Sequence, residues 1–363
     1  VNIVSNGPSE KTSGQLGLSV AEYNSRTLKG AVGGQISDAW GYRLAAQATA
    51  SDGYTDNTHL DREDTNNLDE TALRGKLRWT PTDDLTVDFT AFMADVDNGY
   101  DAFSLDNTRE TLSDEPGSDI QETRAAAIQA DWKIRPSTSI QLNLSHADSE
   151  LVYGYDEDWA YPALCTDFEC AFGEDSGYSS FDNYLRDNKN SVIDARVVHG
   201  AVNDDTRWVA GVYAREQQVD LTRVYTYLDA DFSSQYDTEN SAIYGQFEKK
   251  MTGNLKGIVG LRYEDYSADY KDSEGFTASP DEDLVGGKLG LEYALADSRI
   301  VYGQVSRGYK PGGFNANDEV PENRREFKSE SMWNYELGWK GAFQNGRGSA
   351  QVAVFYQDRE DIQ

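Results

Sequence analysis

Apolar and polar residues alternate one for one along most of this chain, and few folds can use that pattern. Successive side chains of a β-strand point to opposite faces, so alternation gives one face to an apolar medium and the other to water. In the run 122–134, Ala126, Ile128, Ala130, Trp132 and Ile134 share one face, and Ala127, Gln129, Asp131 and Lys133 the other. Leu85, Val87, Phe89, Ala91 and Met93 oppose Thr86, Asp88 and Thr90. Val285, Leu289, Leu291, Tyr293 and Leu295 oppose Lys288 and Glu292, and Trp333, Tyr335, Leu337 and Trp339 oppose Asn334, Glu336 and Lys340. The pattern recurs in about fifteen segments, each near the ~9–11 residues that cross a bilayer as a tilted strand. No run of apolar residues is long enough for a membrane-spanning helix. The low mean hydropathy does not exclude a membrane protein, because a barrel strand needs an apolar residue only at every second position.

The connections separate a membrane barrel from a soluble sandwich, which alternation alone cannot do. Short ones, rich in Asp, Asn, Gly, Pro and Ser, fall at 37–40, 80–84, 135–139, 203–206, 251–254, 296–298 and 344–348. Long ones lie between them at 51–67, 97–119, 154–183, 222–238, 271–282 and 309–328. Tight turns at one end and long loops at the other are the rhythm of an up-and-down membrane barrel. Trp40, Trp79, Trp132, Trp333, Trp339 and Phe343 sit near strand ends, as the aromatic girdles of such barrels do. The expected fold is therefore all-β, an antiparallel up-and-down transmembrane β-barrel.

Charge and motifs narrow the chemistry. The net charge of −30 across 363 residues disfavours nucleic acid as a partner. Acidic clusters such as Asp61-Glu63-Asp64, Glu110-Asp114-Glu115-Asp119 and Asp156-Glu157-Asp158 read as solvated loop charge, since no spacing among them matches a calcium loop. Cys165 and Cys170 lie five apart in the longest connection; an oxidising export route favours a disulfide between them, and the absence of nearby His disfavours a metal site. The three histidines, His59, His146 and His199, read as structural, with no Ser placed for activation beside His146. Gly286-Gly287 and Gly312-Gly313 precede no helix, so a phosphate cradle is not expected. No enzyme, cofactor or metal is expected.

Three runs carry a family resemblance. Ser306-Arg307-Gly308-Tyr309-Lys310-Pro311-Gly312-Gly313-Phe314-Asn315 is similar to a signature of TonB-dependent receptors. Tyr335-Glu336-Leu337-Gly338-Trp339-Lys340 resembles the strand that follows it in that family, with Ser329 where the family has Pro, and 353–363 resembles the next strand. At the other end, Val1-Asn2-Ile3-Val4 resembles the tail of the family's plug, and Ser37-Asp38, Arg43-Leu44-Ala45 and Asp52-Gly53-Tyr54 its first barrel hairpins. The resemblance implies residues 1–6 as the end of a plug domain and 7–363 as a barrel truncated at its C-terminal end, with about fifteen of the family's about 22 strands. A signal peptide and TonB box are expected upstream. It implies residence in the bacterial outer membrane and import of a scarce ligand, foremost a ferric siderophore, powered through the TonB complex; the alternative is a passive porin-like channel. On this reading ligand is met by Tyr153, Tyr155, Trp159 and Tyr161 in the Cys-bearing connection and by Arg307, Tyr309, Lys310 and Phe314 at the rim, where aromatic and cationic groups suit flat, negatively charged ligands.

Overall fold

The computed structural model describes residues 5–164, 179–201, 204–296, 298–317 and 319–363. Cys165 and Cys170 lie outside the described residues, as do Val1–Val4. Fifteen strands pair in chain order in one antiparallel sheet, to which the two residues Thr277–Ala278 add a short sixteenth strand. The fifteen are β1 (Ser13–Val20), β2 (Arg26–Ser37), β3 (Trp40–Ser51), β4 (Leu68–Thr82), β5 (Leu85–Tyr100), β6 (Gly117–Arg135), β7 (Thr138–Asp156) and β8 (Phe181–His199). After them come β9 (Thr206–Tyr225), β10 (Phe232–Lys250), β11 (Leu255–Asp272), β12 (Asp281–Ala296), β13 (Arg299–Lys310), β14 (Glu330–Phe343) and β15 (Gly348–Glu360). Each pairs with the next, so odd and even connections emerge at opposite rims. β1 and β15 do not pair with each other. The sheet is an open arc of a barrel, and in lipid its two edges need further strands to satisfy their N–H and C=O groups.

The two faces divide as the alternation requires. Leu289, Leu291, Leu337, Leu261, Ile243 and Val212 are all more than half exposed and share one face through the register Ile243↔Tyr263↔Val285 and Val259↔Leu289↔Val305↔Tyr335. An apolar face this wide and this open is one that lipid covers. Trp40, Trp79, Trp132, Trp208 and Trp339 lie on strand ends beside the tight turns, and Trp40 stacks on Trp79 at 5.8 Å. Trp333 lies six residues above Trp339, roughly 20 Å along the strand, close to the height of an apolar band.

The strands differ from expectation in length. β4 to β12 run 15 to 20 residues, well beyond a bilayer crossing. Above the band the outward face turns polar: Arg124, Asp148 and Lys189 stand in one row of paired positions, with Glu122, Glu150 and Asp187 in the row above. Both faces are wet there, but the backbone ladder continues. The long connection expected at 222–238 is consequently six residues, 226–231, because β9 and β10 extend through the rest. The connection 21–25 is short as well. Long connections all lie on one rim, yet that rim also carries these two short ones.

The polar face is held by ion pairs and by tyrosines laid across glycines. Arg78 grips Asp88 through Nε and Nη2, both at 2.7 Å. Tyr302 pairs with Gly338, and a Cβ at 338 would stand 2.4 Å from the tyrosine ring. The ring thus lies over the glycine, where its hydroxyl donates to Glu336 Oε1 at 2.5 Å and Lys340 Nζ sits 4.9 Å from its centroid. Glu336, Gly338 and Lys340 of the resemblance therefore form one clasp around Tyr302, on the polar face as the alternation places them. Tyr244 lies across Gly211 in the same way and donates to Asp194 at 2.8 Å.

Candidate functional site

Two groups of side chains occupy the rim that bears the long connections. In the first, Tyr100 ends β5, and Tyr153 and Tyr155 project from the polar face of β7. Tyr153 lies 5.0 Å from Tyr100 and 5.9 Å from Tyr155, and Phe103 stacks on Trp159 at 4.9 Å. Trp159 adopts φ +58°, a strained backbone for a bulky residue. It is held by its N–H on Asp156 Oδ1 (2.9 Å) and by that stack. Tyr161 stands apart, stacked on His59 at 3.9 Å, where it joins the connections 157–180 and 52–67.

A charged network adjoins this group that sequence reasoning did not find. Arg223 donates two bonds to Asp182, at 2.8 and 2.7 Å, and Tyr184 and Tyr155 hydroxyls donate to the same carboxylate at 2.9 and 3.3 Å. The Arg223 guanidinium also lies 4.6 Å over Tyr225. Asp182 and Arg223 are 41 residues apart, so only the pairing of β8 with β9 brings them together.

The second group gathers Phe314 with Tyr270 (4.7 Å), Tyr236 (5.7 Å) and Phe276 (5.9 Å), with Arg325 5.0 Å over Phe276. Tyr309 lies beneath. Strict alternation would turn it outward with Arg307, but β12 and β13 stop pairing at Gly287↔Arg307. The Tyr309 ring instead crosses Gly286, where a Cβ would meet it at 2.8 Å, and its hydroxyl donates to Glu264 Oε2 at 2.8 Å. Arg307 bonds the Val285 carbonyl, and Lys310 pairs in register with Glu330. Gly312 and Ser329 both donate N–H to Glu282, at 2.9 and 3.0 Å, which ties the two ends of the connection 311–329 together. Of the eight expected residues, Tyr153, Tyr155 and Trp159 fall in the first group and Tyr309 and Phe314 in or beneath the second, while Tyr161, Arg307 and Lys310 belong to neither aromatic cluster.

Two features lie outside the earlier expectations. Lys29, Arg43, Arg74 and Lys76 line a common hollow on the polar face, with Ser5 and Asn6 against them. Lys76 Nζ donates to Ser5 Oγ at 3.4 Å. Alternation put the cations on the polar faces of β2, β3 and β4 but did not show that these three strands bring them side by side. Contrary to expectation, a hydroxyl does meet His146: Ser191 Oγ lies 2.9 Å from its Nδ1 across β7 and β8. His199 meets Thr138 in the same manner at 2.9 Å. Neither His has a hydrogen-bonded acid among the described residues, so neither is held as a general base.

Carboxylates concentrate where the connection 101–116 meets the start of 157–180. Oxygens of Asp114, Asp156 and Asp158 lie within 4.8 Å of one another. Burial, and then the Asp156 carboxylate beside it, push Asp158 up to about 7. Burial followed by the Asp114 and Asp156 charges raises Glu115.

This geometry defines a class: a bilayer-spanning β-barrel arc with an apolar outside, a charged inside and an aromatic outer rim. The sequence matches the family TonB dependent receptor-like, beta-barrel over residues 6–363, and the chain belongs to that family. Its place is the bacterial outer membrane. The chain is 28% identical to the pesticin receptor of Yersinia pestis over 183 residues, 47% of this chain and 27% of that protein. It is 28% identical to the ferric-pyoverdine 358 receptor of Pseudomonas putida over 135 residues, 35% of this chain and 16% of that one. The solved ferric yersiniabactin uptake receptor of Yersinia pestis superposes with a TM-score of 0.83 at 20% identity, covering 100% of this chain and 56% of its own. The ferripyoverdine receptor of the Pseudomonas aeruginosa outer membrane, solved bound to ferripyoverdine, gives 0.73 at 15% identity, covering 97% and 49%. The chain therefore spans about half the length of these solved receptors. The family is one of receptors and transporters rather than enzymes.

Proposed function

We propose that this barrel serves TonB-dependent active import of a ferric siderophore, captured at the outer rim. The carrying observation is the rim itself: clustered aromatics at Tyr100, Phe103, Tyr153, Tyr155 and Trp159 beside the Arg223 network offer faces and a cation to a flat, anionic chelate. The relatives' names, receptors for ferric pyoverdine and ferric yersiniabactin, point the same way. Residues 1–6 are then the tail of a plug filling the lumen and 7–363 the barrel; the contact of Ser5 with Lys76 on the polar face supports that path. The TonB complex would engage through the region before the plug, and lipid would cover the outside.

Uptake of an iron-55-labelled siderophore by cells carrying the complete receptor tests this reading. Surface binding should persist without TonB while uptake stops; uptake that survives loss of TonB overturns active import in favour of a passive channel. Tyr155→Ala and Trp159→Ala should each weaken surface binding about 3–10-fold, the value of one aromatic contact. Unchanged binding in a double variant that still folds removes this rim from capture.

A further inference from the structure

We infer that Asp114, Asp156 and Asp158 form a calcium site that ties the connection 101–116 to the start of the connection 157–180. β6 and β7 bring the two segments together, and Asp114 N donates to Ala160 O at 3.2 Å across the junction. Asp156 is 5% exposed. Its Oδ1 accepts from the N–H groups of Asp158 (3.1 Å) and Trp159 (2.9 Å). Its Oδ2 is shut from solvent with no donor among the described residues, and a carboxylate oxygen of Asp156 lies within 4.8 Å of oxygens of Asp114 and Asp158. Asp114 Oδ1 is likewise shut off without a donor. Oxygens in this state are costly unless a positive charge lies between them. A proton shared by Asp156 and Asp158 would still leave Asp114 Oδ1 with no donor.

Among the described residues no Lys or Arg forms an ion pair with Asp114, Asp156 or Asp158. The connections 101–116 and 157–180 carry eleven carboxylates and one cation, Arg109. Arg109 is engaged elsewhere, bonded to the Tyr23 hydroxyl and lying 6.0 Å over its ring. An external ion fits better. The donors are all hard, anionic oxygens, the set that calcium takes. Two oxygens on one calcium ion, at 2.3–2.6 Å each, stand at most about 4.6–5.2 Å apart, whereas magnesium limits them to about 4.2 Å. The three carboxylates place oxygens within 4.8 Å of one another, a separation that one calcium ion can bridge. Chain spacing hides the site because Asp114 comes from a different connection. Bound calcium would fix Phe103 and Trp159 in their stack and so order the rim, whatever ligand the rim captures.

Terbium luminescence on the complete receptor, purified in detergent with chelator-washed buffers, tests the site, with Trp159 as the nearby sensitiser. The expected result is saturable emission displaced by calcium and not by equal magnesium. Asp156→Asn and Asp114→Asn, nearly isosteric and on separate connections, should each weaken binding roughly 10-fold or more. Limited proteolysis within 157–180 should be slowed by calcium in the wild type and not in Asp156→Asn. Heat-modifiable gel migration confirms that each variant keeps its barrel. Terbium affinity unchanged in both variants, or emission indifferent to millimolar calcium, overturns the assignment.

Discussion

Replacing Gly338 by Ala should unseat Tyr302 and thereby report what the Tyr-Glu-x-Gly-x-Lys run does. The added Cβ would stand 2.4–2.5 Å from two ring carbons and the hydroxyl oxygen of Tyr302, closer than real Cβ contacts come, so the side chain must move. Moving it breaks the 2.5 Å bond to Glu336 and removes the ring from beneath Lys340. A hydrogen bond to a charged group contributes about 1.5–3 kcal/mol. A half-exposed cation–π contact adds about 0.5–1 kcal/mol. Glu336 and Lys340 regain water in the lumen, so the lower ends apply, and the expected loss is about 2 kcal/mol. Urea unfolding of the complete receptor, followed by tryptophan fluorescence, measures it as a midpoint shift at constant slope. In a Tyr302→Ala background the same Gly338→Ala change has nothing to displace and should cost under about 0.5 kcal/mol, giving a coupling of roughly 1.5 kcal/mol. Equal costs in both backgrounds would refute the clasp. Loss of siderophore binding with unchanged stability would make these residues part of capture rather than of the barrel wall.

Three other outcomes follow from the same geometry. Leu289→Lys, at mid-height on the lipid face, should lower stability by about 2–4 kcal/mol, while Lys288→Leu on the polar face stays within about 1 kcal/mol; urea midpoints in lipid vesicles decide this, and equal effects would reverse the facing. Arg223→Ala leaves the Asp182 carboxylate, whose side chain is 3% exposed, without its cation; the cost should be about 3 kcal/mol, and Arg223→Met with Asp182→Asn should recover more than half of it. Hydrogen exchange at 181–185 should rise in the single variant only. Ser191→Ala and His146→Ala should leave siderophore uptake at the wild-type rate, and an esterase activity lost in either would contradict the structural reading of that pair.

The membrane-spanning part of this protein was legible residue by residue. Leu289, Leu291, Leu337 and Lys340 fall on the faces that alternation assigned, and the tight turns lie on one rim. Strand length was not legible. Above the bilayer both faces of β7 meet water, so the charged outward positions Asp148 and Glu150 mark where lipid ends but not where the strand ends. The expectation of a long connection at 222–238 failed for that reason, because the hydrogen-bond ladder of β9 and β10 continues where the apolar signal stops.

Period two and the rhythm of short and long connections together determine the class of fold, since a sheet in lipid must close to set an apolar face outward and satisfy its backbone. They also determine which side chains can share a face, and hence most of the lipid surface. Register belongs to the tertiary structure. It sets Tyr302 against Gly338, Arg223 against Asp182, Ser191 against His146 and Asp114 against Asp156, pairs separated by 36 to 45 residues along the chain; the last, at 42, also depends on how two connections meet above the sheet. The physical reason is that a strand's own sequence fixes the direction of each side chain but not its height against the neighbour; turn length and the ladder decide that. Tyr309 shows the limit: its alternation points outward, and the parting of β12 from β13 beside Gly286 turns it in.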